Sequence, residues 1–369
     1  MKRKSLCGKA GLPIAGGFLL LTAALVLGSC GLHSIFYDIS TEKRPAVPRV
    51  PGSPSQIALF DGTLYVASGK LFAHADGRWG DPGIPQPPRR LVDLAATDDF
   101  LYALSLSGTG AKTGLWRIAK GGGNWSEVGL PATVQNIFAD GADLYVGIGD
   151  GDSYSIRKIS GSGSPTELAG DVGLLSGAAG GFLVTRSGHV RDSSGNSVTS
   201  DGAVFMGVID LGGEVVAVSR DGILYRVDSG GASQITKSDG SIMDTNKRLA
   251  TGALAVWEGN VAGKEGKMLL VGVQSSSSVT TLNNGYVEFP LTADEKLDPD
   301  RDRNDAEQLA SVQGQNAQYR TSLGRLPVSH LFQAPVAVDS ERTLYASTLN
   351  SGLWSFRTRD GVLQWNAED

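Results

Sequence analysis

The stretch Asp140-Gly-Ala-Asp-Leu-Tyr-Val-Gly147 joins a turn to a short apolar run and ends in a second glycine. Asp-Gly supplies the positive φ angles of a tight hairpin turn, and Leu-Tyr-Val is typical of a strand. Variants of this phrase recur along the chain. They centre on Tyr65, Tyr102, Tyr145, Val184, Val216, Leu270 and Tyr345. The chain is therefore built from an internal repeat.

The spacing of the copies predicts the architecture. Successive copies lie 37, 43, 39, 32, 54 and 75 residues apart, and a β-propeller blade of four strands takes about 40–50 residues. Further glycine turns and apolar strands follow within a copy, as in Gly114-Leu-Trp-Arg-Ile118. We therefore predict an all-β fold, a propeller of seven four-stranded blades over residues 55–369. Six or eight blades stay open because the sixth copy is loose, and a β-sandwich is the disfavoured alternative.

The last copy carries a family resemblance. Thr343-Leu-Tyr-Ala-Ser-Thr-Leu-Asn-Ser-Gly-Leu-Trp-Ser-Phe, followed by Asp-Gly-Val-Leu-Gln-Trp365, resembles the repeat of quinoprotein-type propellers. That resemblance implies a propeller fold and no particular activity. Quinone-dependent enzymes of this type are usually far longer and carry cofactor ligands, so we expect no cofactor here.

Residues 290–334 interrupt the repeat before the last blade. We interpret them as a charged insertion with a short helix near Asp305-Ala-Glu-Gln-Leu. Asp298, Asp300 and Asp302 alternate like the first ligands of a calcium loop. The glycine and the distal glutamate that such a loop requires are missing, so these three aspartates are only weak candidates for a metal site.

The amino terminus has the pattern of an export signal. Lys2, Arg3, Lys4 and Lys9 precede the apolar run Phe18–Leu27, which is too short for a permanent membrane span of about 20 residues. Leu27-Gly-Ser-Cys30 resembles the lipobox of bacterial lipoproteins. The resemblance implies that residues 1–29 are a signal peptide and that Cys30 is acylated and anchors the chain to a membrane. Gly31 favours the outer membrane over the inner membrane.

Residues 30–54 are expected to form a tether, because four prolines fall between residues 45 and 54 and favour an extended backbone. Removal of residues 1–29 takes away four basic residues and no acids, so the formal net charge falls from −5 to −9. This charge gives the chain no electrostatic reason to bind nucleic acid. Cys7 leaves with the signal, so Cys30 is the only thiol that remains.

The sequence contains no motif that predicts catalysis. His33, His74, His189 and His330 are scattered without the spacing of zinc ligands, and we interpret them as surface or turn residues. No nucleophile elbow or phosphate loop occurs. The tyrosines of the repeat are interpreted as packing residues.

We therefore expect a non-enzymatic scaffold of the cell envelope that binds another envelope protein. Resemblance to the propeller lipoproteins of the outer-membrane assembly machine implies a role in assembly, although that family has eight blades. The alternative function is binding, or hydrolysis, of a glycan or small ligand. A cluster of carboxylates and histidine in the central channel would favour the alternative.

Overall fold

The computed structural model shows a ring of seven antiparallel sheets, which is a seven-bladed β-propeller. It describes residues 48–107, 114–131, 133–150, 153–246, 248–261, 264–274, 284–301, 323, 326–341, 343–359 and 362–368. No α-helix occurs in those ranges. Within them, no helix long and apolar enough to cross a membrane is found. The predicted all-β class and the number of blades are confirmed, and the alternatives of six blades, eight blades or a sandwich are wrong.

Each blade is one continuous segment of chain, and its first strand is the innermost. The strands are β1 Ala58–Phe60, β2 Thr63–Ser68, β3 Lys70–Ala75 and β4 Arg78–Gly80 in blade 1; β5 Leu91–Ala96, β6 Phe100–Ser105, β7 Gly114–Ala119 and β8 Ser126–Val128 in blade 2; β9 Val134–Asp140, β10 Asp143–Asp150, β11 Ser153–Ser160 and β12 Thr166–Gly170 in blade 3; β13 Leu175–Ala179, β14 Phe182–Thr185, β15 Val190–Asp192 and β16 Ser197–Val198 in blade 4. They continue with β17 Phe205–Asp210, β18 Val215–Ser219, β19 Leu224–Asp228 and β20 Gly231–Gln234 in blade 5; β21 Leu249–Val261, β22 Lys264–Gln274 and β23 Gly285–Pro290 in blade 6; β24 Val328–Gln333, β25 Leu344–Thr348, β26 Leu353–Arg359 and β27 Val362–Ala367 in blade 7. Blade 6 has three strands in the described residues, and the other six blades have four.

The repeated phrase forms the second strand of every blade. Its seven centres lie on β2, β6, β10, β14, β18, β22 and β25. Tyr65, Tyr102, Tyr145 and Tyr345 are all buried, which confirms their role in packing. At the turn between β1 and β2, Asp61 and Gly62 have φ of 48° and 74°. Two consecutive positive φ angles are what a two-residue hairpin turn requires.

The hydrophobic core consists of layers between blades. Seven clusters of buried side chains are present, and each joins two neighbouring blades. The cluster between blades 7 and 1 contains Leu64, Trp79, Tyr345 and Leu353. A blade alone would leave both faces of its sheet in water, so the stability of each blade depends on its neighbours.

A segment before β1 closes the ring. We call residues 48–56 the strap. The Arg49 N–H donates to the Glu368 carbonyl at 2.7 Å, the Leu353 N–H to Val50 at 3.1 Å, and the Gly352 N–H to Gly52 at 2.8 Å. Val50 is fully buried. Residues 48–54, which the sequence assigned to the tether, are thus part of the ring, and they join its last blade to its first.

The two faces of the ring are defined by their turns. Because strands alternate in direction, the turn between the first and second strands lies on one face and the turn between the second and third on the other. The strap contacts Gly352 in the second of these turns of blade 7, so we call that side the strap face. The opposite side is the arm face, after the hairpin described below.

The insertion is shorter than its sequence indicated. β24 lies within the interval 290–334, because Val328–Gln333 is the first strand of blade 7. On the other flank, the Leu297 N–H donates to Glu214 of blade 5 at 2.8 Å. The short helix expected near residue 305 lies outside the described residues.

Candidate functional site

The central channel is the first place to look for a site, because the innermost strands of all blades meet there. In blades 2, 3, 4, 5 and 7 the innermost strand contains a β-bulge. The first paired residue after the bulge occupies an equivalent position in each of these strands, which we call the channel position. Gln56 takes the corresponding place in blade 1, just before β1. In blades 2, 3, 4, 5 and 7 the residues at this position are Asp93, Asn136, Gly177, Gly207 and His330, respectively.

The amide side chains near the channel bind the backbone of neighbouring blades. Gln56 Nε2 donates to the carbonyl oxygens of Leu94 in blade 2 and, at 3.4 Å, Ile137 in blade 3. Asn136 donates to the Leu175 carbonyl of blade 4. These polar groups satisfy carbonyls of the inner strands, so they stabilise the ring.

Glycines bring the inner strands together on the other side of the ring. A Cβ atom on Gly177 would lie 2.9 Å from the Val208 nitrogen, and one on Gly207 would lie 2.7 Å from the Gly252 oxygen. Such distances are too short for real Cβ atoms, so any side chain at these two positions would push the inner strands of blades 4, 5 and 6 apart. No functional side chain can be placed at these two positions.

The described residues contain no group of three His, Cys, Asp or Glu side chains that could hold a metal ion. At the channel position, the Asp93 carboxylate accepts the Leu94 N–H at 2.9 Å. His330 lies on β24, and its Nδ1 is buried without a hydrogen-bond partner. Burial lowers the pKa of His330 to about 4, so its ring is neutral at pH 7.

The three described histidines lie in different settings. His189 is exposed beside a turn. His74 lies within β3 and His330 within β24, so these two are in strands and not in turns, and both are partly buried. No periodic pattern in the sequence marks them, because a single histidine in a short strand looks the same whether it faces water or protein. His33 lies outside the described residues.

An apolar cleft opens on the arm face beside the channel. Its volume is about 560 Å³. It lies among the first turn of blade 5, the first two strands of blade 6 and the end of β24. The side chains that line it include Ile209, Leu211, Leu254, Val256, Leu331, Phe332 and Val336. Val336 is 49% exposed, so its side chain is accessible at the edge of this cleft.

Acidic groups surround the apolar cleft. Asp210, Glu258 and Glu295 line it together with one lysine, Lys267. The Lys267 Nζ lies 3.7 Å from the Glu258 carboxylate and also pairs with Glu295. Three carboxylates against one ammonium leave the rim of the cleft with a negative charge.

A projecting hairpin borders the apolar cleft. The pairing of β21 with β22 continues through Trp257↔Met268 to Val261↔Lys264, whereas the first hairpin of blade 5 ends at Asp210↔Val215. The blade 6 hairpin is therefore longer by five residue pairs, or about 17 Å at 3.4 Å per residue. We call Trp257–Met268 the arm.

A second cleft lies at the junction of blades 7 and 1, and we call it the seam cleft. Its volume is about 800 Å³. Three arginines line it, one each from the strap (Arg49), the start of β4 (Arg78) and β26 (Arg357). Asp339 and Glu341 line it as well. Charges of both signs thus meet in a cavity of the size that small ligands occupy.

His74 and Tyr345 form the floor of the seam cleft, and Trp79 packs behind them. The Tyr345 hydroxyl lies 3.3 Å from His74 Nε2, and the buried Trp79 packs edge-on against Tyr345 with ring centroids 5.6 Å apart. Burial lowers the pKa of His74, although Asp339 opposes this effect. Burial also raises the pKa of Tyr345. Both groups are therefore neutral at pH 7, and the floor is uncharged.

Among the metal candidates, Asp298 and Asp300 line neither cleft. Cys30 and Asp302 are outside the described residues. The Asp298 carboxylate accepts the Arg301 N–H at 3.2 Å, and Asp300 accepts the Ser238 N–H at 2.7 Å. That second bond lowers the pKa of Asp300. The two carboxylates thus cap backbone groups in exposed turns.

Comparisons with known proteins identify no family. No family model matches the chain, and no curated protein matches it. Among solved structures, Sqt1 of Saccharomyces cerevisiae is 14% identical, with a TM-score of 0.48 over 87% of this chain and 86% of that one. BamB of Moraxella catarrhalis is 11% identical, with a TM-score of 0.41 over 82% of each chain. The WD40 β-propeller domain of Doa1 is 9% identical, with a TM-score of 0.46 over 85% of this chain and 95% of that one. Likenesses this distant do not bear on function.

Proposed function

We propose that this chain is a non-catalytic scaffold of the cell envelope and that it binds another envelope protein on the arm face. The observation that carries the proposal is the apolar cleft beside the channel, next to a hairpin that extends beyond the ring. Both features lie on the face opposite to the strap, so a partner bound there leaves the strap undisturbed. Two amide side chains at the channel, Gln56 and Asn136, are engaged in joining blades, which favours a scaffold over an enzyme.

The chemistry of the apolar cleft defines the kind of partner. Burial of apolar surface is favourable by about 25 cal/mol per Å², so side chains such as Leu or Phe are suitable anchors for a cleft lined by Val256, Leu331 and Phe332. The acidic rim attracts Lys or Arg, and such charges increase the rate and specificity of association. The partner therefore presents an apolar segment flanked by basic residues.

The arm adds a second kind of contact. A hairpin that projects from a sheet has backbone groups along its edges, and an extended segment of a partner can pair with such an edge. The arm stands next to the apolar cleft, so one partner segment reaches both. Main-chain pairing with the arm would supply affinity, and the cleft would supply specificity.

Anchoring at Cys30 completes the proposal. Two or more acyl chains hold a protein stably on a membrane, whereas one chain does not. The 18 residues from Cys30 to Val47 span up to about 55 Å when extended at about 3.1 Å per residue. The ring can therefore meet a partner at some distance from the bilayer. We place it on the outer membrane, where assembly of membrane proteins is the role that fits best.

A site-specific photo-crosslinker in intact cells tests the proposal. Val336 and Leu349 are a matched pair, since they are 49% and 46% exposed and lie on the arm face and the strap face, respectively. A crosslinker at position 336 should capture one envelope protein through an apolar segment with basic flanks. The same group at position 349 should not. Equal capture at both positions, or capture through an acidic polar segment, would contradict the proposal.

A further inference from the structure

Of the three arginines in the seam cleft, one forms an ion pair that stabilises the fold, and two do not. The Arg357 guanidinium lies 3.2 Å from the Glu368 carboxylate, which is only 1% exposed. Arg49 and Arg78 are exposed, and neither side chain pairs with an acid among the described residues. Arg49 and Arg357 are 308 positions apart in the chain, and only closure of the ring brings them to one cavity.

We propose that the seam cleft binds a carboxylated sugar, such as a uronic acid unit of an envelope polysaccharide. This site is separate from protein docking on the apolar cleft, and either can be true without the other. The planar guanidinium groups of Arg49 and Arg78 suit a ligand carboxylate, because arginine offers two parallel N–H donors to it.

The acids of the seam cleft distinguish a sugar from a simple anion. Asp339 and Glu341 would repel any anion, but a sugar acid also carries hydroxyl groups, and a carboxylate accepts hydrogen bonds from these. The Asp339 Oδ1 already accepts the Glu341 N–H at 3.0 Å, and this bond orients the loop. Arginines for one acidic group and carboxylates for several hydroxyls together match a polyhydroxylated acid.

The shape of the seam cleft agrees with a ligand of two or three sugar units. A volume of about 800 Å³ lies within the range of about 300–1,000 Å³ that small-ligand sites have. The neutral floor of His74 and Tyr345 adds no competing charge. A ligand held by the strap, blade 1 and blade 7 at once would also stabilise ring closure, since binding to the folded state alone raises its stability.

Calorimetry and thermal unfolding of the full-length chain in detergent test the proposal. The probes are tri-galacturonate, neutral galactotriose and inorganic phosphate. We expect tri-galacturonate to bind at least about tenfold more tightly than the other two, a difference of about 1.4 kcal/mol, and to raise the melting temperature. Equal binding of phosphate would mean a plain anion site, and equal binding of galactotriose would mean that the arginines play no part. Either result, or no binding, overturns the proposal.

Variants separate the roles of the charges. Arg78→Gln should weaken tri-galacturonate binding about tenfold or more, whereas Arg89→Gln, an exposed arginine outside the cleft, should leave it unchanged. Asp339→Asn should weaken tri-galacturonate severalfold without weakening phosphate. All three substitutions are away from the core, so unchanged melting temperatures without ligand confirm folding. Loss of binding in Arg89→Gln, or none in Arg78→Gln, would contradict the assignment.

Discussion

The side chain of Gln333 pairs with the backbone of Glu258 as a neighbouring strand would. Its Oε1 accepts the Glu258 N–H at 2.9 Å, and its Nε2 donates to the Glu258 carbonyl at 2.8 Å. Gln333 ends the innermost strand of blade 7, and Glu258 lies on that of blade 6. One amide thus satisfies the edge of β21 at the base of the arm.

Gln333→Ala should therefore destabilise the ring. The variant leaves an N–H and a carbonyl of Glu258 without the Gln333 amide, and such a loss costs about 1–3 kcal/mol. Urea unfolding should show a lower midpoint for this variant. Gln234→Ala is the control, because Gln234 is exposed and its contacts at 3.3 Å and 3.4 Å are long. Equal effects of the two substitutions would contradict the role of Gln333.

The glycine that receives the strap is expected to tolerate no side chain. At Gly352, φ is 78°, and an added Cβ atom would lie 2.7 Å from both Pro48 and the Val50 oxygen. Gly352→Ala should displace the strap and cost more than the roughly 1 kcal/mol expected from the backbone alone. Gly69→Ala is matched, since its φ is 75° and nothing lies within 4 Å. The melting temperature of Gly352→Ala should be lower than that of Gly69→Ala. The reverse order would argue against closure of the ring by the strap.

Acid should destabilise the folded ring through His330. The pKa of His330 is about 4 in the folded chain, compared with the ordinary value of 6.5 for an exposed histidine. Between these two pH values the unfolded state therefore binds more protons than the folded state. The free energy of unfolding is therefore unaffected by this group well above pH 6.5 and falls as the pH drops towards 4, by about 3 kcal/mol. Unfolding midpoints of the wild type and His330→Gln, measured from pH 7.5 to 4.5, should converge as the pH falls. The unfolding midpoint of the exposed variant His189→Gln should change with pH as that of the wild type does. If the midpoints of His330→Gln and the wild type ran parallel from pH 7.5 to 4.5, His330 would not be the cause of the acid effect.

The proposed lipidation depends on the thiol of Cys30. Labelled palmitate should be incorporated into the wild type and not into Cys30→Ser, because the acyl group is attached through sulfur. Cys7→Ser is the control and should retain the label. The wild type should sediment with the outer membrane, and Cys30→Ser should not accumulate there. Labelling of Cys30→Ser would exclude the lipoprotein interpretation.

The repeat could be read from the sequence because its signals are local. Turn glycines and the strand that follows them lie within ten residues, as in Asp140–Gly147, and they identify the second strand of every blade. β24 was assigned to the insertion instead, because Val328-Ser-His-Leu-Phe-Gln333 follows no glycine turn of the repeated kind. First strands are recognised by their place at the channel, which the sequence does not display.

The candidate sites could not be predicted for a related physical reason. The seam cleft joins Arg49 to Arg357, and the apolar cleft joins Leu211 to Val336. Neither pair has a common spacing or motif, because the geometry that unites them arises from closure of the ring. The strap shows the same limit, since its prolines indicated an extended backbone without indicating that blade 7 would bind it.

Recovery of an envelope partner from intact cells tests the central claim most directly. The wild type, Val336→Glu and Leu349→Glu should be expressed equally and purified after mild crosslinking, and the amount of each co-purified protein should be measured. We predict one envelope protein that is recovered with the wild type and Leu349→Glu and is reduced at least about tenfold with Val336→Glu, because a buried charge in the apolar cleft opposes docking. Recovery of the same proteins in equal amounts from all three, or of no envelope protein from any, would contradict the account.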